Sequence, residues 1–153
     1  MREPMPYLER VKIQAEILIP LFRRLRAELG DERACALVRA AVAEFATGLG
    51  QRLREGDGTP LTRLKRMVPA FTAGNALDIE PLTDDARELR FNVRGCRYAE
   101  YFQSIGEPLL GAMLTCEMDP PMTDGIGDGL RLERTQTLLK GGTHCDFRWS
   151  VPD

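Results

Sequence analysis

The hydrophobic period of this chain changes once, and the change divides it. Up to Gly74 and Asn75 the apolar residues recur every three to four positions; beyond them they alternate. A period of 3.6 buries one stripe of a helix, and a period of 2 buries one face of a strand. A chain that switches from one to the other folds as helices followed by a sheet, the α+β class. We expect residues 1–70 to form the helical part and residues 75–153 a four-stranded antiparallel sheet that carries the site. The 153 residues fit one domain.

In the helical part, Leu8, Val11, Ala15, Leu18, Phe22, Leu25 and Leu29 share one face. Pro20 interrupts that run, and its missing N–H predicts a kink or a split. Gly30 ends it. Asp31 is placed to cap a second helix that is apolar around much of its girth, from Ala34 to Leu53, and so central and buried. Cys35 on that helix reads as core, since free cysteine packs as a small hydrophobe. Thr59 before Pro60 is a helix start, and Pro69 is expected to end that helix. About five helices follow from these signals across the whole chain.

In the sheet part, Leu77, Ile79 and Leu82, then Asp84 and Asp85, then Leu89, Phe91 and Val93 describe a hairpin with one apolar face. Short helices are expected over 97–102 and 107–116, followed by a loop through Pro120 and Pro121. Two further strands are expected over about 130–139 and 144–151, joined through Gly141 and Gly142. On the last strand Cys145, Phe147, Trp149 and Val151 share a parity, opposite to His144, Asp146 and Arg148.

Charge excludes one class of function. The net charge is −2, with 13 Lys and Arg against 9 Asp and Glu up to residue 75 and 8 against 14 beyond it. Nucleic-acid binders draw their affinity from phosphate neutralisation, so no nucleic-acid partner is expected. No run is long and apolar enough to span a membrane, and no signal peptide is visible. Cysteines at 35, 96, 116 and 145 lack the tight pairs of a disulfide scaffold, which suits a cytoplasmic protein with reduced thiols. Oligomeric state is left open, a homo-oligomer included.

The chemistry concentrates in the second half. Cys96 lies at a strand end just before a helix, where free N–H groups favour a thiolate; Arg94 and Arg97 flank it and push the same way. The alternative is a cysteine that merely fills a turn. Strand parity turns Arg134 toward the apolar face, where a guanidinium needs a carboxylate such as Asp119, Asp146 or Glu100, or a ligand anion. His144, the only histidine, is a candidate base or substrate contact, or else an exposed bystander. Zinc held by Cys96, Cys116, Cys145 and His144 is chemically permitted, but no CxxC clip supports it. We therefore expect neither a metal nor another cofactor.

These residues also fall into a recognisable order. FNVRGCRY over 91–98 is followed by Cys116 with Asp119, then RTQTL over 134–138, and then GTHCDFR over 142–148. The series resembles the L-2-amino-thiazoline-4-carboxylic acid hydrolase family, itself distantly similar to small-ligand-binding domains of the 4-vinyl-reductase type. The resemblance implies a hydrolase that opens a small cyclic amidine at a non-peptide C–N bond. It implies Cys96, Cys116 or Cys145 as nucleophile and Asp119 or Asp146 as acid. Arg134, Tyr98 and His144 would contact the substrate, a small molecule. A sensor or carrier that binds such a molecule without catalysis is the rival expectation.

Overall fold

The computed structural model describes residues 3–153; the first two residues of the expected helical part lie outside the described residues. Two long helices, α1 (Tyr7–Leu29) and α2 (Asp31–Arg54), lead into two short ones, α3 (Pro60–Lys65) and α4 (Val68–Thr72). The hairpin β1 (Leu77–Asp84) and β2 (Glu88–Cys96) follows. Three short helices come next: α5 (Arg97–Ser104), α6 (Pro108–Leu114) and α7 (Asp119–Ile126). Strands β3 (Arg131–Glu133) and β4 (Cys145–Ser150) complete the chain. The fold is α+β with a helical first half and an antiparallel sheet of order β1-β2-β4-β3. Among the described residues, no helix is long and apolar enough to cross a membrane.

Alternation along the central strands sets the register. Leu89, Phe91 and Val93 of β2 stand opposite Trp149, Phe147 and Cys145 of β4 on one face. That apolar face packs on α3, α7 and the middle of α2 in the largest core cluster, which includes Leu61, Leu64, Met122 and Ile126. A second cluster joins the first turns of α1 to α5 and α6 around Phe102, and a third gathers Phe22, Ala34, Cys35 and Met113. Cys35 is core, as expected.

Several local expectations are corrected. Pro20 does not split α1, which runs through it as one helix; the residue is exposed, where the solvent-facing turn tolerates the lost bond. Asp31 is the first residue of α2 rather than its cap, and its carboxylate instead holds Arg26 at 2.8 Å. Nor is α2 central: only Ala34, Cys35, Ala46 and Gly50 are buried along it, while Leu37 and Phe45 are about half exposed. Thr59 does cap α3, accepting from the Thr62 N–H. Pro69, however, stands in the first turn of α4 and starts a helix. Leu82 leaves the apolar face because a register shift falls between Pro81 and Thr83.

The greatest departure is α7. Pro120 and Pro121 sit in its first turn, where the N–H groups that proline lacks have no partner within the helix anyway. Its Gly125 faces Gly50 of α2. A Cβ on Gly50 would collide with the Met122 carbonyl oxygen and lie 2.9 Å from the Gly125 Cα. The two glycines let the helix backbones touch, and this closeness holds the N-terminus of α7 over the sheet. With α7 and the divided α3–α4 segment, the described residues contain seven α-helices.

Strand β3 is likewise shorter than alternation suggested. It stops at Glu133 because the Asp146 carboxylate accepts from the backbone N–H groups of Thr135 and Gln136, each at 2.9 Å. A side chain thereby replaces the next ladder partner, and the chain from 134 to 137 runs unpaired beside the sheet.

Candidate functional site

A cavity of about 100 Å³ lies against the apolar face of the sheet. One water needs roughly 10–15 Å³ of such space, so there is room for a small organic molecule. Each element places its contribution by its own geometry. The end of β2 delivers Cys96, and the first turn of α5 delivers Tyr98. The short 3₁₀ turn Cys116–Met118 brings Cys116 and Met118, and the first residue of α7 brings Asp119. Unpaired chain after β3 supplies Arg134, and β4 supplies Cys145, Phe147 and Trp149. Six of the eight candidate residues thus meet in one cavity: Cys96, Cys116, Cys145, Asp119, Arg134 and Tyr98.

The other two do not line it. Asp146 is occupied by Thr135 and Gln136; burial raises its pKa, but those hydrogen bonds outweigh burial and hold it below the usual carboxylate value. His144 lies on the opposite parity, with Nδ1 2.9 Å from the Thr143 hydroxyl. Among the described residues, no group of three His, Cys, Asp or Glu side chains is arranged to hold a metal ion.

Arg134 and Asp119 form the polar centre. Arg134 Nη1 donates to Asp119 Oδ2 at 2.6 Å, and Nη2 donates to the Cys116 carbonyl at 2.9 Å. The guanidinium lies 5.0 Å over the Phe147 ring. Both side chains are largely buried, at 11% and 17% exposure. Among the described residues, no hydrogen bond reaches Asp119 Oδ1. Burial raises the Asp119 pKa to about 6, against the opposing pull of Arg134. This carboxylate therefore changes charge close to neutral pH.

The thiols behave differently from expectation. Cys96 caps α5, its Sγ accepting from the Ala99 N–H at 3.4 Å. Yet burial outweighs that bond and pushes the Cys96 pKa up to about 11. The flanking cations act elsewhere: Arg94 holds Glu80 at 2.7 Å, and Arg97 faces Glu100 at 4.0 Å. Burial also carries Cys116 to about 11, and it raises Cys145, whose Sγ accepts from the Leu138 N–H. All three are neutral thiols near pH 7. Packing of Cys96 against two core clusters thus works against the low-pKa thiolate expected there.

Most of the wall is apolar and aromatic. Phe147 stacks on Trp149 at 4.9 Å and 11°, and Phe91 packs against both. Trp149 donates from Nε1 to Thr123 of α7 at 3.1 Å, which locks the ring into the wall. The parity of β4 announced Phe147 and Trp149. Tyr7 and Phe71, which close the cavity from α1 and α4, carried no signal of their own: each sits at the end of a helix pattern whose partner is distant in sequence.

Comparison with known proteins gives three findings. A model of a family described as L-2-amino-thiazoline-4-carboxylic acid hydrolase matches residues 10–149, a stretch that includes the motifs over 91–148 and most of the helical half. No curated protein matches the sequence. Among solved structures, the chain is similar to the crystal structure of the phenol-responsive sensory domain of the transcription activator PoxR with phenol. That similarity stands at 17% identity and a TM-score of 0.47, over 88% of this chain and 73% of that one.

Proposed function

The chain belongs to the L-2-amino-thiazoline-4-carboxylic acid hydrolase family, and from that premise we propose that its cavity hydrolyses a C–N bond of a small cyclic amidine, with Asp119 as the proton-transfer group and water as the nucleophile. What supports this reading is one observation: a buried carboxylate with a pKa of about 6, one oxygen held by Arg134 and the other met by no hydrogen-bond donor among the described residues. A base poised near the working pH combines adequate ionisation with proton-transfer driving force. The carboxylate takes a proton from water as the water oxygen adds to the amidine carbon, and returns it to the ring nitrogen. As the adduct collapses, the new hydroxyl proton follows the same route and the C–N bond breaks, leaving a carbonyl and a free amine. A guanidinium has five N–H donors, so Arg134 keeps some for a substrate carboxylate beyond the two spent on Asp119 and Cys116.

The test is turnover of 2-aminothiazoline-4-carboxylate, followed by amine release. Asp119→Asn should lower the rate about 10²- to 10⁴-fold, the usual contribution of a general acid–base. Cys96→Ala, Cys116→Ala and Cys145→Ala should each keep most of it. Loss of activity in a cysteine variant alongside an active Asp119→Asn would replace water by a thiol nucleophile.

A second reading, a sensor or carrier without catalysis, is favoured by the three neutral thiols and the aromatic wall, which hold a ligand without supplying a charged nucleophile. Calorimetric binding of thiazoline compounds with no amine release would establish it over the first.

A further inference from the structure

We propose that the Tyr7 hydroxyl is the hydrogen-bond donor the cavity offers its ligand, so that the protein selects small rings bearing an acceptor atom over rings of equal size without one. The inference rests on the cavity being a ligand site and does not require it to be catalytic. Three hydroxyls line the cavity, from Tyr7, Tyr98 and Thr115. Tyr98 donates to the Phe71 carbonyl at 3.0 Å, and Thr115 donates to the Gly111 carbonyl at 2.7 Å. Tyr7 has, among the described residues, only the Met118 thioether sulfur at 3.8 Å. A thioether is a weak acceptor, and a poorly matched hydroxyl in apolar surroundings is costly unless a better partner arrives.

The ring that carries this hydroxyl is held from two sides. Phe71 meets it edge-on with centroids 5.0 Å apart, and Tyr98 lies 6.2 Å away. The donor is thus preorganised, and a ligand need not order it. Burial raises the Tyr7 pKa, with Arg10 opposing and the Asp119 charge adding to the rise, so the group is a protonated donor at neutral pH. Asp119 lines the same cavity as Tyr7, so one ligand can meet an acceptor and a donor together.

The experiment compares thiazole with thiophene, five-membered sulfur rings that differ in one nitrogen acceptor. Each is titrated into the wild-type protein and into Tyr7→Phe, which keeps the ring packing. We expect Tyr7→Phe to weaken thiazole about 3- to 10-fold, the range of one net hydrogen bond, and to leave thiophene unchanged. A second variant, Met118→Leu, removes the competing sulfur and should bind thiazole at least as tightly as wild type. Equal weakening of both rings, an unchanged thiazole affinity, or no binding of either ring would overturn the proposal. Turnover of 2-aminothiazoline-4-carboxylate measured on the same wild-type sample separates the two readings: discrimination by Tyr7 without turnover removes the hydrolytic reading and keeps this one.

Discussion

At the scale of single residues, burial decides the chemistry here more than sequence neighbours do. Cys96 has what usually makes a reactive thiol, a helix start and two flanking arginines. Desolvation nevertheless outweighs both, and its pKa rises to about 11. Since the thiolate is the nucleophile, iodoacetamide at pH 7.5 should label Cys96, Cys116 and Cys145 slowly in the folded protein. The same sites should react at ordinary rates once urea exposes them. Peptide mass spectrometry reads each site separately. Rapid labelling of Cys96 in the native protein would return the thiolate to the mechanism. Arg134 was legible in advance, because a guanidinium at an inward parity demands a partner, and Asp119 is that partner at 2.6 Å. The charge state of Asp119 was not legible, because it depends on what packs over it rather than on its neighbours in the chain.

Elements were legible where a local signal sufficed: the β1–β2 hairpin follows from alternation and the start of α3 from its cap. The pairing of β2 with β4, which puts β4 in the middle of the sheet, was not legible, because it joins strands distant in sequence. Errors gathered where a breaker residue serves tertiary packing. Pro120, Pro121 and Gly125 together read as loop, whereas the prolines occupy a helix start and the glycine a helix crossing. Six candidate side chains meet in the cavity partly because α7 closes against α2 at that crossing. Gly50→Ala should therefore cost about 2–3 kcal/mol or more, since the added methyl meets backbone, which cannot rotate away as an overpacked side chain can. Gly48→Ala serves as the control, because its Cβ would have only the end of the Arg52 side chain at 3.7 Å. A mid-helix Gly→Ala at an open position gains rather than loses stability. Denaturant melts of the two variants should move in opposite directions. Equal behaviour would mean that α2 and α7 are free to separate.

Taken over the whole molecule, the buried carboxylate ties the site to global stability through pH. The Asp119 pKa is raised by burial from 3.8 to about 6, so the folded state holds this proton more tightly than the unfolded chain does. For an acid shifted upward, stability is greatest below the unfolded pKa, falls as pH rises toward the folded pKa, and is level above it. A rise of about two pH units corresponds to about 3 kcal/mol. Other carboxylates act in the opposite sense: Asp31, Glu80, Asp85, Glu117 and Asp146 are all lowered, and their contributions grow with pH up to their unfolded values. The two senses overlap near pH 4, so the wild-type curve alone is ambiguous. The difference between wild type and Asp119→Asn is not, because the other carboxylates are common to both. Asparagine leaves Arg134 without its counter-charge, an offset that does not depend on pH in this range. The stability advantage of wild type over Asp119→Asn, from urea melts between pH 4 and pH 7, should therefore shrink by about 2 kcal/mol as pH rises, with most of the change below pH 6, since pH 4 already lies above the unfolded value. Parallel curves would mean that Asp119 titrates normally, and the proton-transfer role argued for it would lose its physical basis.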